Sequence, residues 1–328
     1  MKIVNVSRRS VLRLSGAAAL SIAALRAHAD TWPSRVIKLE VGFPPGGGAD
    51  AAARIVANRL SELLGQQMIV ENRPGAGARI AMDAAVHAEP DGYTVLLAPG
   101  APAVNSLLFD HLSFDPLSLM PVTLIGTYPN LLVVPNSSHF TTLQEFIAYA
   151  KANPGKISWA SPGIGSIPHL AGELFKHMAG IDITHVPYRG VNAGAMTDLL
   201  AGRLDAMFNT TGSLLPAVSG KQVRCLGVTS AQRFPIAPEI PTVAEAGVPG
   251  YEDTSWYALY VPAKTPGDVI DKINAASAKM LGEDETKQKF IPLGVLAKSS
   301  TPTELAAMNA ADYARWQPII KEAGIKGE

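Results

Sequence analysis

Apolar residues dominate 36–43, then give way to Pro44, Pro45 and three glycines before a new periodicity begins at Asp50. In that second pattern Ile55, Val56, Leu60, Leu63 and Leu64 recur at helical spacing, and Gly65 follows as a stop. The first stretch predicts a strand and the second a helix, with the Asp50 carboxylate placed to cap the helix. "MIVEN" (68–72) predicts the next strand and "RPGAGAR" (73–79) a second glycine loop. A short helix to about Ala88 and the strand "TVLLA" (94–98) follow. Strand, helix, strand, helix, strand predicts a parallel sheet with right-handed crossovers.

"PVTLIGTYPNLLVVP" (121–135) predicts two short strands broken at Tyr128-Pro129. The alternation then restarts. Thr142 and Glu145 make a capping box for a helix over 143–151. "KISWAS" (156–161) reads as a strand, "PGIGSIP" (162–168) as a third glycine loop, and 169–180 as a helix closed by Gly180. "DITHVPY", "LDAMFN" and "CLGVTS" read as strands, with a helix over 193–202 between the first two. Residues 234–253 are proline-rich and read as a crossing segment, "WYALYVPA" (256–263) as a strand, and 268–281 and 303–323 as helices. The late helices need somewhere to pack after the second α/β unit has finished, and the first unit is the natural place. The pattern therefore predicts two α/β domains, 30–127 with 254–328 and 128–253, joined by two crossings and separated by a cleft.

Charge and composition sharpen this. "SRRSVLR" (7–13), a mild apolar run to residue 25 and "AHA" (27–29) predict a signal peptide cleaved near Ala29, of the twin-arginine type or else a Sec signal with a chance arginine pair. The remaining chain would be exported to the periplasm, soluble and not membrane-spanning. Residues 1–29 hold five of the 28 basic residues and no acid, so residues 30–328 carry 28 − 5 = 23 basic against 28 acidic side chains, net −5. Nothing in that balance suggests nucleic acid. One cysteine, Cys225, excludes an intrachain disulfide and any multi-cysteine metal site, and the seven histidines show no metal-ligand spacing.

The glycine loops carry the candidate chemistry. Gly46, Gly48 and Ala51 match G-x-G-x-x-A, with Glu71 at the end of the next strand, the outline of a dinucleotide fingerprint. Pro44 and Pro45 remove backbone donors where a pyrophosphate would be wrapped, and the second loop would crowd an adenosine. A plain turn is the other reading; a smaller anion, such as a carboxylate at the helix N-terminus, is the preferred one. The third loop, "SPGIGSIPH" (161–169), makes the same offer from the other domain, with Ser161 and Ser166 as hydroxyl donors. His169 could donate to a ligand or bond nearby backbone. Two such loops would face each other at the C-terminal ends of their strands. "GIGSIP" lacks the pattern of a nucleophile elbow, so no catalytic set is assigned.

"FPPGGGAD", "VENRPGAGARIAMDAAVHAEPDGYTVLLA", "HVPYRG", "LLAGRLDAMF", "GVTSAQRFPIAPEIPTVAEAGVPGYE" and "RWQPIIKEAGIK", in this order, resemble the Bug (TctC-like) family of extracytoplasmic receptors of tripartite tricarboxylate transporters. The resemblance spans residues 32–326. It implies a two-lobed periplasmic-binding-protein fold of the Venus-flytrap type that closes on a small carboxylate, a di- or tricarboxylate or an aromatic acid. It also implies delivery to membrane transporter subunits, no cofactor, and a monomer. Carried over, ligand contacts fall on Phe43, Gly46, Gly47 and Asp50, on Ala76 and Gly77 of the second loop, on Ser161, Gly165, Ser166 and His169, and on the acidic position Asp205. Ile164, Ile167 and Pro168 make the third loop more apolar than is usual in the family, Arg79 stands where a second glycine is common, and "NTTGS" replaces a "DNLPS"-like stretch. An exported enzyme, or a sensor acting through a partner protein, are the competing readings.

Overall fold

The computed structural model describes residues 32–109, 111–188 and 194–326. The leader assigned to 1–29 lies outside these. β1 (Ile37–Val41), α1 (Gly48–Leu64), β2 (Met68–Asn72), α2 (Arg79–Val86) and β3 (Thr94–Pro99) form the first α/β unit, and α3 (Asn105–Leu108) leads to β4 (Leu119–Pro135). Next come α4 (Leu143–Ala152), β5 (Ser158–Ser161), α5 (Ile167–Ala179), β6 (Thr184–Pro187), α6 (Ala195–Leu200), β7 (Ala206–Thr210), α7 (Thr211–Ser219) and β8 (Val223–Val228). β9 (Thr254–Pro262), α8 (Gly267–Gly282), α9 (Asp284–Phe290), β10 (Leu296–Ala297) and α10 (Pro302–Glu322) complete the chain.

The strand order is β2-β1-β3-β9-β4-β7-β5-β6. β1 runs parallel to β2 and β3, and β5 runs parallel to β6 and β7, as β-α-β connections require. The middle of the sheet is antiparallel: β9 pairs with both β3 and β4. Each parallel group has helices over it and buries near-continuous apolar runs such as Val95, Leu96 and Leu97. α8 packs on α1, and α10 packs on β4 and on the turn at Pro102–Val104, so both late helices return to the first unit.

Two expectations are corrected. The apolar run around Tyr128-Pro129 is one strand, not two. β4 pairs with β9 up to Pro129 and with β7 and β8 from Asn130 onward. Proline removes a ladder donor, and here the loss falls where the strand changes neighbours, so the chain continues unbroken. Asp50 is not the cap of α1. The helix begins at Gly48 with Gly47 as N-cap, and Asp50 sits in the first turn. The short helices α3 and α9 and the helix α7 escaped the sequence pattern; α7 is built from "TGSLLPAVS", where Gly212, Ser213 and Pro216 give poor helical propensity.

Candidate functional site

β1 runs into a helix start on one side, and β5 and β7, running the opposite way through the sheet, run into helix starts on the other, so three helix N-termini point into the space between the two halves. An inner chamber forms there. The first half lines it with Phe43, Pro44, Gly47, Gly48 and Ala49. The other half contributes Pro162, Ile167, Pro168, Asn209, Thr210 and Ser213, and Tyr128 and Tyr257 come from the two crossing strands. A Cβ built on Gly48 would stand 3.4 Å from Thr210 Oγ1 and 3.5 Å from Tyr257 Oη, which measures how closely the start of α1 approaches the opposite wall.

The chamber's polar groups are donors. The N-caps of α1, α5 and α7 (Gly47, Ser166 and Thr210) give no side-chain hydrogen bond to a first-turn N–H, and Thr210 Oγ1 pairs instead with Ser213 Oγ at 3.0 Å. Their first-turn N–H groups are left to a guest, apart from the donor that Pro168 removes from α5. α4 and α10, which begin elsewhere, each carry a complete capping box, Thr142 with Glu145 and Thr301 with Glu304. Asn209 is buried; its Oδ1 accepts from Thr210 N at 2.8 Å, while its Nδ2 has only the Met207 thioether at 3.9 Å. The Tyr128 and Tyr257 rings lie 4.4 Å apart, and burial raises both phenols, so both keep their O–H. None of the lining residues among those described is Lys, Arg, Asp or Glu. Three positive dipole ends and neutral donors lining one space suit a carboxylate.

Phe43, Pro44 and Pro162 also border an outer cavity of about 590 Å³. Its side chains include Ile80, Phe109, Ile164 and Tyr188, again with no charged group among the described lining. The rim is closed by contact between the halves. Gly77 has a φ of 62° and a Cβ there would meet Ile164 O at 3.0 Å, so a residue free of a side chain lets the second and third loops touch.

The expected site residues divide into lining and support. Phe43 and Gly47 line the inner chamber, Gly77 lines the outer cavity, and Gly165 and Ser166 face a small neighbouring space with Phe43. Ala76 belongs to the single turn Ala76–Ala78. Asp50 braces the first loop from behind: its carboxylate accepts from Gly46 N at 2.9 Å, Asn72 Nδ2 at 3.0 Å, and Arg54 Nε at 2.9 Å and Nη2 at 3.0 Å. Burial would raise this carboxyl, but the bonds from Arg54, Gly46 and Asn72 outweigh it and hold it below its ordinary value. Gly46 is thereby tied inward. Ser161 is buried and bonded to His185. His169 takes the backbone alternative: its Nδ1 accepts from Gly165 N at 3.2 Å. Asp205 is not brought to the chamber. It accepts from Ser158 N and Oγ, each at 2.8 Å, at the start of β5, whereas the chamber lies beyond the end of that strand.

Sequence reasoning missed Tyr128, Tyr257, Asn209, Thr210 and Ser213. The signal for the last three was the strand-to-helix junction "FNTTGS", a third instance of the rule that located the other two loops.

Comparison with known proteins adds a family. Residues 52–325 match the family model described as "Tripartite tricarboxylate transporter family receptor". A Pseudomonas sp. (strain P51) protein, "UPF0065 protein in tcbD-tcbE intergenic region", is 38% identical over 323 residues, covering 98% of this chain and 96% of that one. The solved structure "R. palustris Rpa4515 with adipate" is 35% identical with a TM-score of 0.84, covering 90% of this chain and 99% of the other. "MatC (Rpa3494) from Rhodopseudomonas palustris with bound malate" is 29% identical with a TM-score of 0.82, covering 88% and 100%.

Proposed function

This chain belongs to the tripartite tricarboxylate transporter family receptors, and from that premise we propose that it captures a small carboxylate between its two lobes in the periplasm and hands it to membrane transporter subunits. The observation that carries the reading is the convergence of three uncapped helix N-termini, drawn from both halves, on one chamber lined by neutral donors. The lobes are residues 30–127 with 254–328, and 128–253, hinged where β4 and β9 cross. Export through the N-terminal leader fits this role. Among the described residues no helix is long and apolar enough to cross a membrane.

The carboxylate sits in the inner chamber and the rest of the molecule extends past Phe43 into the outer cavity. The apolar side chains there favour an aliphatic chain or ring over a second charged cluster. Adipate, bound by the related R. palustris protein, offers a four-methylene chain for those side chains, with its second carboxylate left toward the cavity mouth.

Capture without chemistry is the reading here, although Ser161 Oγ lies 2.7 Å from His185 Nε2. That pair is a nucleophile-and-base spacing, but Ser161 is 1% exposed and its Oγ also accepts from Gly163 N. A substrate carbonyl has no path to it. Calorimetry with adipate, malate and benzoate tests the proposal. Saturable binding of at least one acid, recovered unchanged afterwards, is expected; no heat from any of them, or a converted product, would overturn it.

A further inference from the structure

The third glycine loop rests on a pair of imidazoles. His169, in the first turn of α5, and His185, in β6, lie tilted at 36° with ring centroids 4.5 Å apart, and both lie against the Trp159 indole, at 6.1 and 4.3 Å. Each holds one end of the loop. Gly165 N donates to His169 Nδ1 at 3.2 Å. Ser161 Oγ pairs with His185 Nε2 at 2.7 Å, and the same oxygen accepts from Gly163 N at 3.2 Å. The Ser166 hydroxyl donates to Gly163 O at 2.6 Å and completes the loop's internal bonding. The segment fixed in this way meets the other half of the molecule. Ile164 O faces Gly77, and a Cβ on Gly165 would stand 3.3 Å from the Phe109 ring.

The bonding constrains protonation. A nitrogen that accepts from a backbone N–H has a free lone pair, so His169 is neutral with its proton on Nε2. Charging it puts an N–H against the Gly165 N–H, and the loop loses its anchor. The surroundings oppose that charge. The nearby cation is Lys176, paired with Glu173 at 3.2 Å, and the positive end of α5 lies alongside. Among the described residues neither imidazole is in an ion pair with a carboxylate. Burial, then His185 and Lys176, lower His169 to about 3, and burial followed by Lys176 lowers His185 to about 4.

We propose that His169 and His185 are positioning residues whose rings set the shape of the loop over 161–166, and that protonation of His169 frees the loop and weakens the grip on a bound acid. Its last clause rests on the carboxylate-receptor reading; the first does not.

Amide hydrogen exchange of residues 163–166 in the exported chain, with no acid added, tests the positioning. His169→Leu removes the acceptor, and His169→Asn places an amide oxygen close to the former Nδ1. Exchange at Gly165 is expected to rise about tenfold or more in the leucine variant and to stay within about threefold of the parent in the asparagine variant. In the parent, loop exchange corrected for its intrinsic pH dependence is expected to rise below about pH 5, and in His169→Asn that rise is expected to disappear. Equal exchange in the parent and leucine chains, or equal loss in both variants, would overturn the proposal. If the leucine chain does not fold, imidazole ¹⁵N shifts of the parent decide: a protonated Nδ1 on His169 at neutral pH sinks it. Calorimetry with adipate separates the two claims, because protected loops without binding count against the receptor reading and leave the positioning intact.

Discussion

Asp253 Oδ2 accepts a hydrogen bond from Asn130 Nδ2 at 2.9 Å, and this one contact joins the two places where the chain passes between its halves. Asn130 follows the partner change in β4, and Asp253 precedes β9. Thr229 ties the pair together: its Oγ1 accepts from Asn130 N at 2.7 Å and donates to Asp253 O at 2.6 Å. Arg315, from α10, approaches Asp253 at 3.8 Å. The crossing is thus a buried polar knot in which every partner matters, since a buried group left unpaired costs more than its bond returned.

That knot sets a pH dependence. Burial raises the Asp253 and Asp312 carboxyls to about 6, against the partial opposition of Arg315. A raised carboxyl binds its proton more tightly in the folded chain, so its contribution to stability is present at low pH and is lost as pH rises from about 4 to about 6. His169 and His185 have the opposite sign. Lowered to about 3 and about 4, they favour the fold above about pH 6.5 and lose that support on acidification. Between about pH 4 and 6 the two pairs nearly cancel. Asp253→Asn is expected to unmask a loss of about 1.4 kcal/mol per pH unit on acidification, relative to the parent, in urea denaturation. His185→Gln is expected to tilt the profile the other way; parallel profiles for all three chains would refute this account.

Gly48 opens the chamber. Its backbone needs no special conformation, so Gly48→Leu should fold normally while its side chain enters the space before Thr210 Oγ1 and Tyr257 Oη. Binding of any acid the parent accepts is expected to weaken by about 100-fold or more, as an occluded pocket requires, with a stability loss of about 1–3 kcal/mol from overpacking. Retained affinity would place the acid elsewhere.

Asp50 acts through the loop it braces. Asp50→Ala leaves Gly46 N, Asn72 and Arg54 without their shared acceptor. We expect a stability loss of about 1–3 kcal/mol and a roughly tenfold or greater fall in affinity, because the first jaw is no longer held. A variant with lower stability and full affinity would show that the ligand orders the jaw by itself.

Thr142→Ala is the complementary case. It breaks the capping box of α4 and is expected to cost about 1 kcal/mol with affinity unchanged. Weakened binding would link that helix to the cleft and contradict the division between capped and uncapped starts.

The sequence was most legible where one rule acted locally. β2 lies where "MIVEN" placed it, and the Thr142–Glu145 box closes as its spacing demanded. Strand-to-helix glycine loops located two walls of the chamber. The third wall was hidden because "TGSLLPAVS" is helical by tertiary packing against β4, β7 and β8, against its own propensities. Tyr128 and Tyr257 were unreadable for another reason: 129 residues separate them in sequence, and only the antiparallel crossing of β4 and β9 brings their rings together. Asp205 was carried over from the family resemblance alone, and a resemblance in sequence does not show that its carboxylate is spent on Ser158 N and Oγ at the start of β5.

The uncharged lining of the chamber has a kinetic consequence. Residues 30–328 carry a net charge of −5, and no cationic side chain among the described lining residues funnels an anion inward. Apart from Arg79, stacked on the Phe109 ring at the outer cavity, the incoming acid meets a weakly repulsive field until it reaches the helix ends, whose pull fades within a turn. Added salt screens that repulsion while barely touching contacts made inside the chamber. Capture should quicken, and release should hold steady, as ionic strength rises, the reverse of what a receptor with an arginine-lined cleft would do. A protein working in a compartment whose salt follows the medium outside would thereby keep its grip through changes in osmolarity.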